Sequence, residues 1–166
     1  MYEYRPQHTN NRARMLVLGL AALAASALIS SAFVPKYPFI LQSLGLLLLL
    51  PTVQLLTRFV VTQYLYRITP YESGEVDLEI FAYRGGNKKQ LVCRVGLEEI
   101  TAVTPLSAQN KKPQNGVCRY NYCPDLAPER AGVLSITNAD GDCEILFSPD
   151  EKLTAIIEQA IRQSNE

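Results

Sequence analysis

The chain has 166 residues, of which 48% are hydrophobic, and its 16 basic and 16 acidic side chains give a formal net charge of zero. This length allows one domain of ordinary size together with a smaller additional element. From residue 68 to the end, ten basic residues stand against fifteen acidic ones, and this negative balance argues against a nucleic-acid-binding surface.

Two long apolar runs follow a polar start. Residues 15–34 (MLVLGLAALAASALISSAFV) and residues 39–57 contain no charged side chain. At a rise of about 1.5 Å per residue, the first run reaches roughly 30 Å, the thickness of a bilayer's hydrocarbon core. Because a helix in a soluble core rarely stays apolar on every face, the runs predict two transmembrane helices. We assign residues 15–63 to a transmembrane hairpin and residues 1–14 to an N-terminal tail, in which the one histidine, His8, is solvated.

The connection between the runs is short and contains Pro35 and Pro38, which disfavour continuation of a helix. The two helices are therefore expected to be antiparallel neighbours. Small residues at helical spacing predict which face of the first helix meets the second, namely Gly19, Ala22, Ser26 and Ser30. In the alternative interpretation these residues only fill an alanine-rich segment.

The basic residues beside the spans predict their orientation. The connecting loop contains only Lys36, whereas five arginines lie outside it: Arg5, Arg12, Arg14, Arg58 and Arg67. This distribution predicts a multi-pass protein of the cell membrane with both termini in the cytoplasm, where the cysteines stay reduced. Tyr64 and Tyr66 are expected to anchor the chain at the inner membrane interface.

A cleaved signal peptide is the alternative interpretation of the first run. Two arginines, an apolar stretch and Ala25-Ser26-Ala27 resemble the three parts of such a peptide. The apolar run continues past that position to Val34, and this length favours a membrane span.

Residues 64–166 are predicted to form a cytoplasmic domain, because apolar and polar residues alternate there and turn residues recur at short intervals. In VDLEIFAY, for example, Val76, Leu78, Ile80 and Ala82 fall on one face of a strand. Gly85-Gly86-Asn87 and residues 138–142 are typical of hairpin turns. The pattern predicts seven short antiparallel strands, over residues 64–69, 76–83, 90–95, 99–104, 117–122, 133–137 and 143–147.

The last segment predicts an amphipathic helix that covers an open end of the sheet. In SPDE, Ser148 has the position of the N-cap, Pro149 the first helical position, and Glu151 completes a capping box. Leu153 and Ile157 belong to the apolar face of this helix.

A membrane hairpin followed by YLYRIT, LVCRVGLEEITAVTPL and ILFSPDEKL resembles the bacterial PH-domain (pleckstrin-homology-like) membrane proteins, over roughly residues 58–163. The resemblance implies an α+β fold, in which a PH-like antiparallel β-barrel or sandwich of about seven strands is closed by a C-terminal capping helix. It also implies a role as a membrane-attached binding or assembly module.

The sequence offers little catalytic chemistry. With His8 as the only histidine, Ser-His-Asp and Cys-His catalysis are not expected, and no phosphate-binding glycine loop occurs. The four cysteines, Cys93, Cys118, Cys123 and Cys143, lack the paired C-x-x-C spacing of a zinc site and are interpreted as packing residues. In the alternative interpretation, the C-x4-C pair Cys118 and Cys123 holds zinc together with Cys93 and Cys143. We therefore expect no enzyme activity, no cofactor and no metal.

Two groups of residues are candidates for binding. Basic side chains that could meet anionic headgroups are Lys88, Lys89, Arg94, Lys111 and Lys112. Side chains that could contact a protein partner along an edge strand are Arg119, Tyr120 and Tyr122. The competing interpretations are solvated turns for the first group and packing between strands for the second.

The sequence thus favours a non-enzymatic, membrane-anchored module for protein interaction or assembly at the inner face of the membrane. Its partners would be the lipid bilayer and a protein, or a second copy of the chain, and not nucleic acid. The alternatives are an anionic-lipid-sensing domain, or an accessory subunit of a membrane enzyme or transporter. A transporter would be expected to have an ionisable residue within a span, and neither span contains one.

Overall fold

The computed structural model describes residues 1–8, 11–34, 36–71, 75–85, 88–107, 112–113, 116–128, 130–138 and 141–164. The fold is α+β, with two long apolar helices, two four-stranded sheets and a C-terminal helix. The helices are α1 (Arg12–Phe33), α2 (Pro38–Leu56) and α3 (Glu151–Ser164). The strands are β1 (Tyr2–Tyr4), β2 (Thr62–Pro70), β3 (Val76–Arg84), β4 (Gln90–Gly96), β5 (Ile100–Pro105), β6 (Cys118–Asn121), β7 (Gly132–Asn138) and β8 (Gly141–Phe147).

The helices α1 and α2, the second extended by a π-helical turn (Thr57–Val61), are long and apolar enough to cross a membrane. Only 17% and 11% of their most apolar stretches are buried, so most of the surface of each helix is not covered by the rest of the described chain. Large apolar side chains such as Leu18, Ile29, Phe39 and Leu47 are exposed along them. A surface of this kind suits contact with lipid, because water would be unfavourable over so large an apolar area.

The two helices meet along a different face of α1 from the one predicted. Gly19, Ala22 and Ser26 are exposed and Ser30 is half-buried, and a Cβ atom added to Gly19 would have nothing within 4 Å. The prediction was wrong because the close approach is set by a glycine of α2. A Cβ atom on Gly45 would lie 2.7 Å from Leu28 Cγ. The buried residues of the actual seam on α1 are Ala13, Val17, Ala24 and Ser31.

The strands form two sheets that do not close into a barrel. Sheet A has the order β1-β2-β3-β4 and is antiparallel throughout, and sheet B has the order β5-β7-β8-β6. All seven predicted strands form, but β6 pairs with β8 in parallel, which corrects the expectation of an all-antiparallel fold. At the gap between the edge strands β4 and β6, the Tyr122 hydroxyl donates a hydrogen bond to Val92 O, at 3.3 Å. In a closed barrel, backbone hydrogen bonds would join β4 to β6. Here the Tyr122 side chain makes a hydrogen bond across the gap instead.

Part of the segment before α1, which was predicted to be a tail, forms an edge strand of sheet A. Tyr2 pairs with Ile68 and Tyr4 with Tyr66, and both side chains of β1 pack on the core. His8, expected to be solvated, has its Nδ1 atom 3.2 Å from Oδ1 of the buried Asp125. Three alternating residues are too short a run to predict a strand from periodicity.

The main core lies between the two sheets and under α3. Its fully buried members include Leu78, Ile80, Leu134 and Phe147, joined by Leu153 and Ile157 of α3. Tyr64 and Tyr66, which the sequence placed at the membrane interface, belong to this core. The aromatic ring of Tyr66 lies 5.8 Å from that of Phe147 and nearly perpendicular to it. A smaller cluster of Cys123, Ala131, Val133 and Leu146 packs separately.

The start of α3 differs from the predicted capping box. Asp150 Oδ1 accepts a hydrogen bond from the Leu153 amide at 2.9 Å, so Asp150 is the N-cap residue. Ser148 instead donates its hydroxyl to Arg130 O, 18 residues away in sequence. The prediction of Ser148 as N-cap was wrong, because this long-range bond takes its hydroxyl away from the helix.

Candidate functional site

The domain begins directly at the end of the second apolar helix. Thr62, the first residue of β2, donates its hydroxyl to Thr57 O at 2.6 Å across the π-helical turn. A β-strand therefore follows the helix without a flexible linker. This junction defines one end of the domain as membrane-proximal if the helices span a bilayer.

The β3–β4 hairpin lies at that membrane-proximal end. Arg84, the last residue of β3, pairs with Thr62, and its Nε atom lies 3.2 Å from the Thr62 hydroxyl. Lys88 and Lys89 follow and are exposed. The turn residues Gly86 and Asn87 lie outside the described residues. Strand register thus places Arg84 beside the end of the π-helical turn that extends α2, and Lys88 and Lys89 belong to the same hairpin, just before β4.

The other predicted basic residues lie elsewhere. Arg94 forms an ion pair with the buried Asp77, and its guanidinium lies 4.6 Å from the centre of the Tyr71 ring. Since Asp77 pairs with Thr69 near the far end of β2, Arg94 is remote from the hairpin turn. Lys112 is exposed, and its carbonyl accepts a hydrogen bond from Arg119 at 3.3 Å. Lys111 lies outside the described residues.

The three residues proposed to contact a partner have different environments. Arg119 forms an ion pair with Glu144 on the adjacent strand, and both side chains are about nine-tenths buried. Tyr122 stacks edge-on against Tyr64, with a ring-centre distance of 5.9 Å, and burial raises the pKa of its hydroxyl to about 12. Tyr120 remains 52% exposed. Of the three, Tyr120 alone presents an open aromatic ring.

Arg58 connects the end of the apolar helical hairpin, just after α2, to β6. The sequence did not suggest this role. Its Nη2 atom donates to Asn121 O, and its guanidinium lies 5.1 Å from the centre of the Tyr64 ring and 5.3 Å from that of Phe59. Its Nη1 atom is buried and has no hydrogen-bond partner among the described residues. The sequence could register Arg58 only as a positive charge beside a span, because its contacts are made by residues far along the chain.

An open groove lies between α3 and the adjoining ends of β5 and β7. It has a volume of about 330 Å³ and is mostly apolar, with Val103, Leu106, Ala131 and Pro149 in its lining. Arg130 and Glu158 supply one charge of each sign. A concave apolar surface with a few polar groups is the usual form of a binding site for a side chain or a small ligand.

The cysteines do not form one cluster. Cys93 and Cys143 pack at the edge of the main core and Cys118 is exposed, whereas Cys123 is fully buried in the smaller cluster. Burial raises the pKa of the Cys123 thiol to about 12. Within the described part of the chain, no three His, Cys, Asp or Glu side chains are arranged to hold a metal ion.

No family model matches this chain. No curated protein and no solved structure shows a significant similarity to it.

Proposed function

We propose that this protein is a non-enzymatic, membrane-anchored module for protein interaction or assembly at the inner face of the membrane. One observation carries the proposal, namely that both ends of the apolar hairpin are built into a single folded domain. The strand β1 precedes α1, the strand β2 follows α2, and the two strands pair with each other. A domain held at both ends of its anchor has a fixed orientation towards the bilayer.

The same pairing supports the proposed topology. If α1 and α2 each cross the bilayer, the β1–β2 ladder requires their outer ends to lie on one side. The arginines beside those ends favour the cytoplasmic side for both termini. A multi-pass protein of the cell membrane with a cytoplasmic domain satisfies both conditions.

We also propose that the domain is PH-like. Two packed sheets with a C-terminal helix across one end support this relationship. The added strand β1, the parallel β6–β8 pair and the open gap between β4 and β6 are departures from the expected barrel or sandwich of about seven antiparallel strands.

A partner would bind side chains and the groove more readily than the β6 edge. Arg58 occupies the Asn121 carbonyl on that edge, and Tyr122 occupies the Val92 carbonyl on the facing edge of β4. An added strand needs a row of open backbone groups, which these two bonds interrupt. Tyr120 and the groove beside α3 remain open for contact.

Photo-cross-linking in native membranes tests this function. A photoreactive residue replaces Leu106 in the groove, Tyr120 on β6, or Leu91 on β4, which is 46% exposed and serves as the control. We expect one dominant adduct, with a protein or a second copy, from position 106 or 120 and none from 91. The same set of adducts from all three positions would mean non-specific proximity. Extraction of the full chain without detergent would exclude the membrane anchor.

Anionic-lipid contact is a second candidate function, favoured by the placement of Arg84, Lys88 and Lys89 beside the end of α2. Near an anionic surface each such charge contributes on the order of 1 kcal/mol. The full chain is placed in nanodiscs of anionic or of zwitterionic lipid, and lysine acetylation is measured. We expect Lys88 and Lys89 to be protected only by anionic lipid, and Lys152, near the far end of the domain, to react equally in both. Equal reaction of all three lysines would count against lipid contact.

A further inference from the structure

Two cysteines lie side by side on neighbouring strands. Cys118, the first residue of β6, is paired in register with Cys143 of β8. Paired residues of parallel strands point to the same face of the sheet, and neighbouring strands are about 4.7–4.9 Å apart. Disulfides form across Cα separations of about 4.4–6.8 Å. The register therefore places the two Cα atoms within the separations at which disulfides form, with both side chains on one face of the sheet.

The two thiols differ in their exposure. Cys118 is exposed on an edge strand, whereas Cys143 is half-buried at the margin of the core. Burial raises the pKa of the Cys143 thiol, and the neighbouring Cys118 adds to this effect. An oxidant in solution therefore reaches Cys118 first, and Cys143 stands next to it as the second thiol.

The other two cysteines are poorer partners for Cys143. Cys93 lies on β4, an edge strand of sheet A, and is partly buried against the core. The Cys143 thiol contributes to raising the pKa of Cys93, but no strand register pairs the two residues, because they belong to different sheets. Cys123 is fully buried in the smaller cluster with Val133 and Leu146. Only Cys118 combines exposure with a position directly opposite Cys143.

We propose that Cys118 and Cys143 form an oxidation site that closes as an intrachain disulfide. With a hydroperoxide as oxidant, the Cys118 thiolate attacks one peroxide oxygen and the O–O bond breaks, which gives a sulfenic acid. The departing hydroxide or alkoxide takes up the proton that the thiol had lost and leaves as water or the corresponding alcohol. The Cys143 thiolate then attacks the sulfenic sulfur, the S–S bond forms, and a water leaves. The two sulfurs together lose two electrons to the peroxide. A low-molecular-weight thiol reverses the reaction by thiol–disulfide exchange.

The disulfide would add a covalent bond at the first residue of β6. The membrane-proximal end is already held by the bond from Arg58 to Asn121 O and by the Tyr122 hydroxyl. The opposite end begins at Cys118 and is held by the pairing with β8 and by the Arg119–Glu144 ion pair, to which the disulfide would add a covalent bond. Oxidation would hold both ends of the strand that presents Tyr120, and the chemistry does not depend on the proposed function.

Peptide mapping of the full chain in detergent micelles tests the site. Trypsin places each cysteine in a different peptide, because Arg94, Arg119 and Arg130 lie between successive cysteines. After treatment with hydrogen peroxide and alkylation of remaining thiols, we expect the Cys118 peptide linked to the Cys143 peptide as the main product. A reducing agent should release both peptides as unmodified thiols.

Four single variants complete the experiment. Cys118→Ser and Cys143→Ser should each abolish the intrachain link, and Cys93→Ser and Cys123→Ser should leave it at the wild-type level. A Cys93–Cys143 link as the main product would overturn the proposal. So would a chain-to-chain Cys118 link, or recovery of both thiols in alkylated form after peroxide has oxidised other residues.

Discussion

The hydroxyl of Tyr2 donates a hydrogen bond to a carboxylate oxygen of Asp150, which lies 148 positions further along the chain. The other carboxylate oxygen of Asp150 accepts the Leu153 amide and caps α3. One side chain therefore fastens the first strand to the last helix. Lys152 lies over the Tyr2 ring, with its Nζ atom 4.8 Å from the ring centre. The first strand, β1, and the last helix, α3, thus contact each other in one domain, and the apolar hairpin is inserted between β1 and β2.

Replacing Tyr2 by Phe should lower the stability of the domain and change its response to alkali. The bond to Asp150, and then desolvation, raise the pKa of Tyr2 from 10.0 to about 12. A raised folded-state pKa contributes stability that is complete below about pH 10 and is lost as the pH rises through about 12. The melting temperature, measured across this pH window, should therefore fall less steeply for Tyr2→Phe than for the wild type.

Tyr83→Phe is the control for this experiment, because it also removes a tyrosine from sheet A but lies at the membrane-proximal end, away from Asp150. It leaves the Tyr2–Asp150 bond in place, so it should keep the part of the alkaline decline that Tyr2→Phe removes. If both variants reduce the loss of melting temperature at high pH equally, the Tyr2–Asp150 bond is not the cause of that loss.

The elements that could be predicted from sequence are those whose pattern is local and long. The apolar runs predicted α1 and α2, and the alternation around Leu78 and Ile80 predicted β3, which forms with both side chains fully buried. The strand β1 could not be predicted, because its partner Ile68 lies 66 positions away and its own pattern covers three residues. The parallel pairing of β6 likewise depends on how residues 122–131 return the chain, and no local pattern encodes that path.

The sequence could predict which residues belong to the candidate site, but not where they lie relative to one another. The exposed Lys88 and Lys89 followed from a turn signal, and their place beside the end of α2 needed the pairing of Arg84 with Thr62. The sequence could not separate Tyr120 from Tyr122, since both are tyrosines on one short strand. Their difference arises at the sheet edge, where Tyr122 meets Val92 and Tyr120 meets solvent.

Substitution of Gly45 by Ala should weaken the packing of the two apolar helices. The new Cβ atom would lie 2.7 Å from Leu28 Cγ and 3.2 Å from Ala24 O, and the backbone oxygen cannot move aside as a side chain can. Overpacking of this kind costs about 1–3 kcal/mol. Unfolding of the full chain in mixed micelles with a denaturing detergent should show the loss.

Gly19→Ala is the matched control, because a Cβ atom there meets nothing within 4 Å and alanine favours a helix. We expect it to be neutral or slightly stabilising. Equal destabilisation by both substitutions would show that Gly45 is not at the seam between the helices.

Glu144→Gln should destabilise the domain by about 1.5–3 kcal/mol, the range for hydrogen bonds to charged groups. The Arg119 Nε atom donates to Glu144 Oε2 at 2.7 Å, and the side chains are only 11% and 10% exposed. Glu3→Gln, which weakens the more exposed pair with Arg67, should cost about 0–1 kcal/mol. Chemical denaturation measures both losses, and a cost for Glu3→Gln as large as that for Glu144→Gln would contradict the assigned burial.

Arg58→Lys should loosen the connection between the apolar hairpin and β6 while retaining the positive charge beside the span. Lysine lacks the forked guanidinium that contacts two rings and the Asn121 carbonyl together, so the loss should be about 1–3 kcal/mol. Hydrogen exchange should accelerate at the Tyr122 amide, which donates to Leu146 O at 2.8 Å, and stay unchanged at the Leu153 amide of α3. Arg14→Lys, on α1, is the control and should alter neither amide. Acceleration at Leu153 to the same degree would indicate general destabilisation, and no acceleration at Tyr122 would show that Arg58 does not hold β6 to the hairpin.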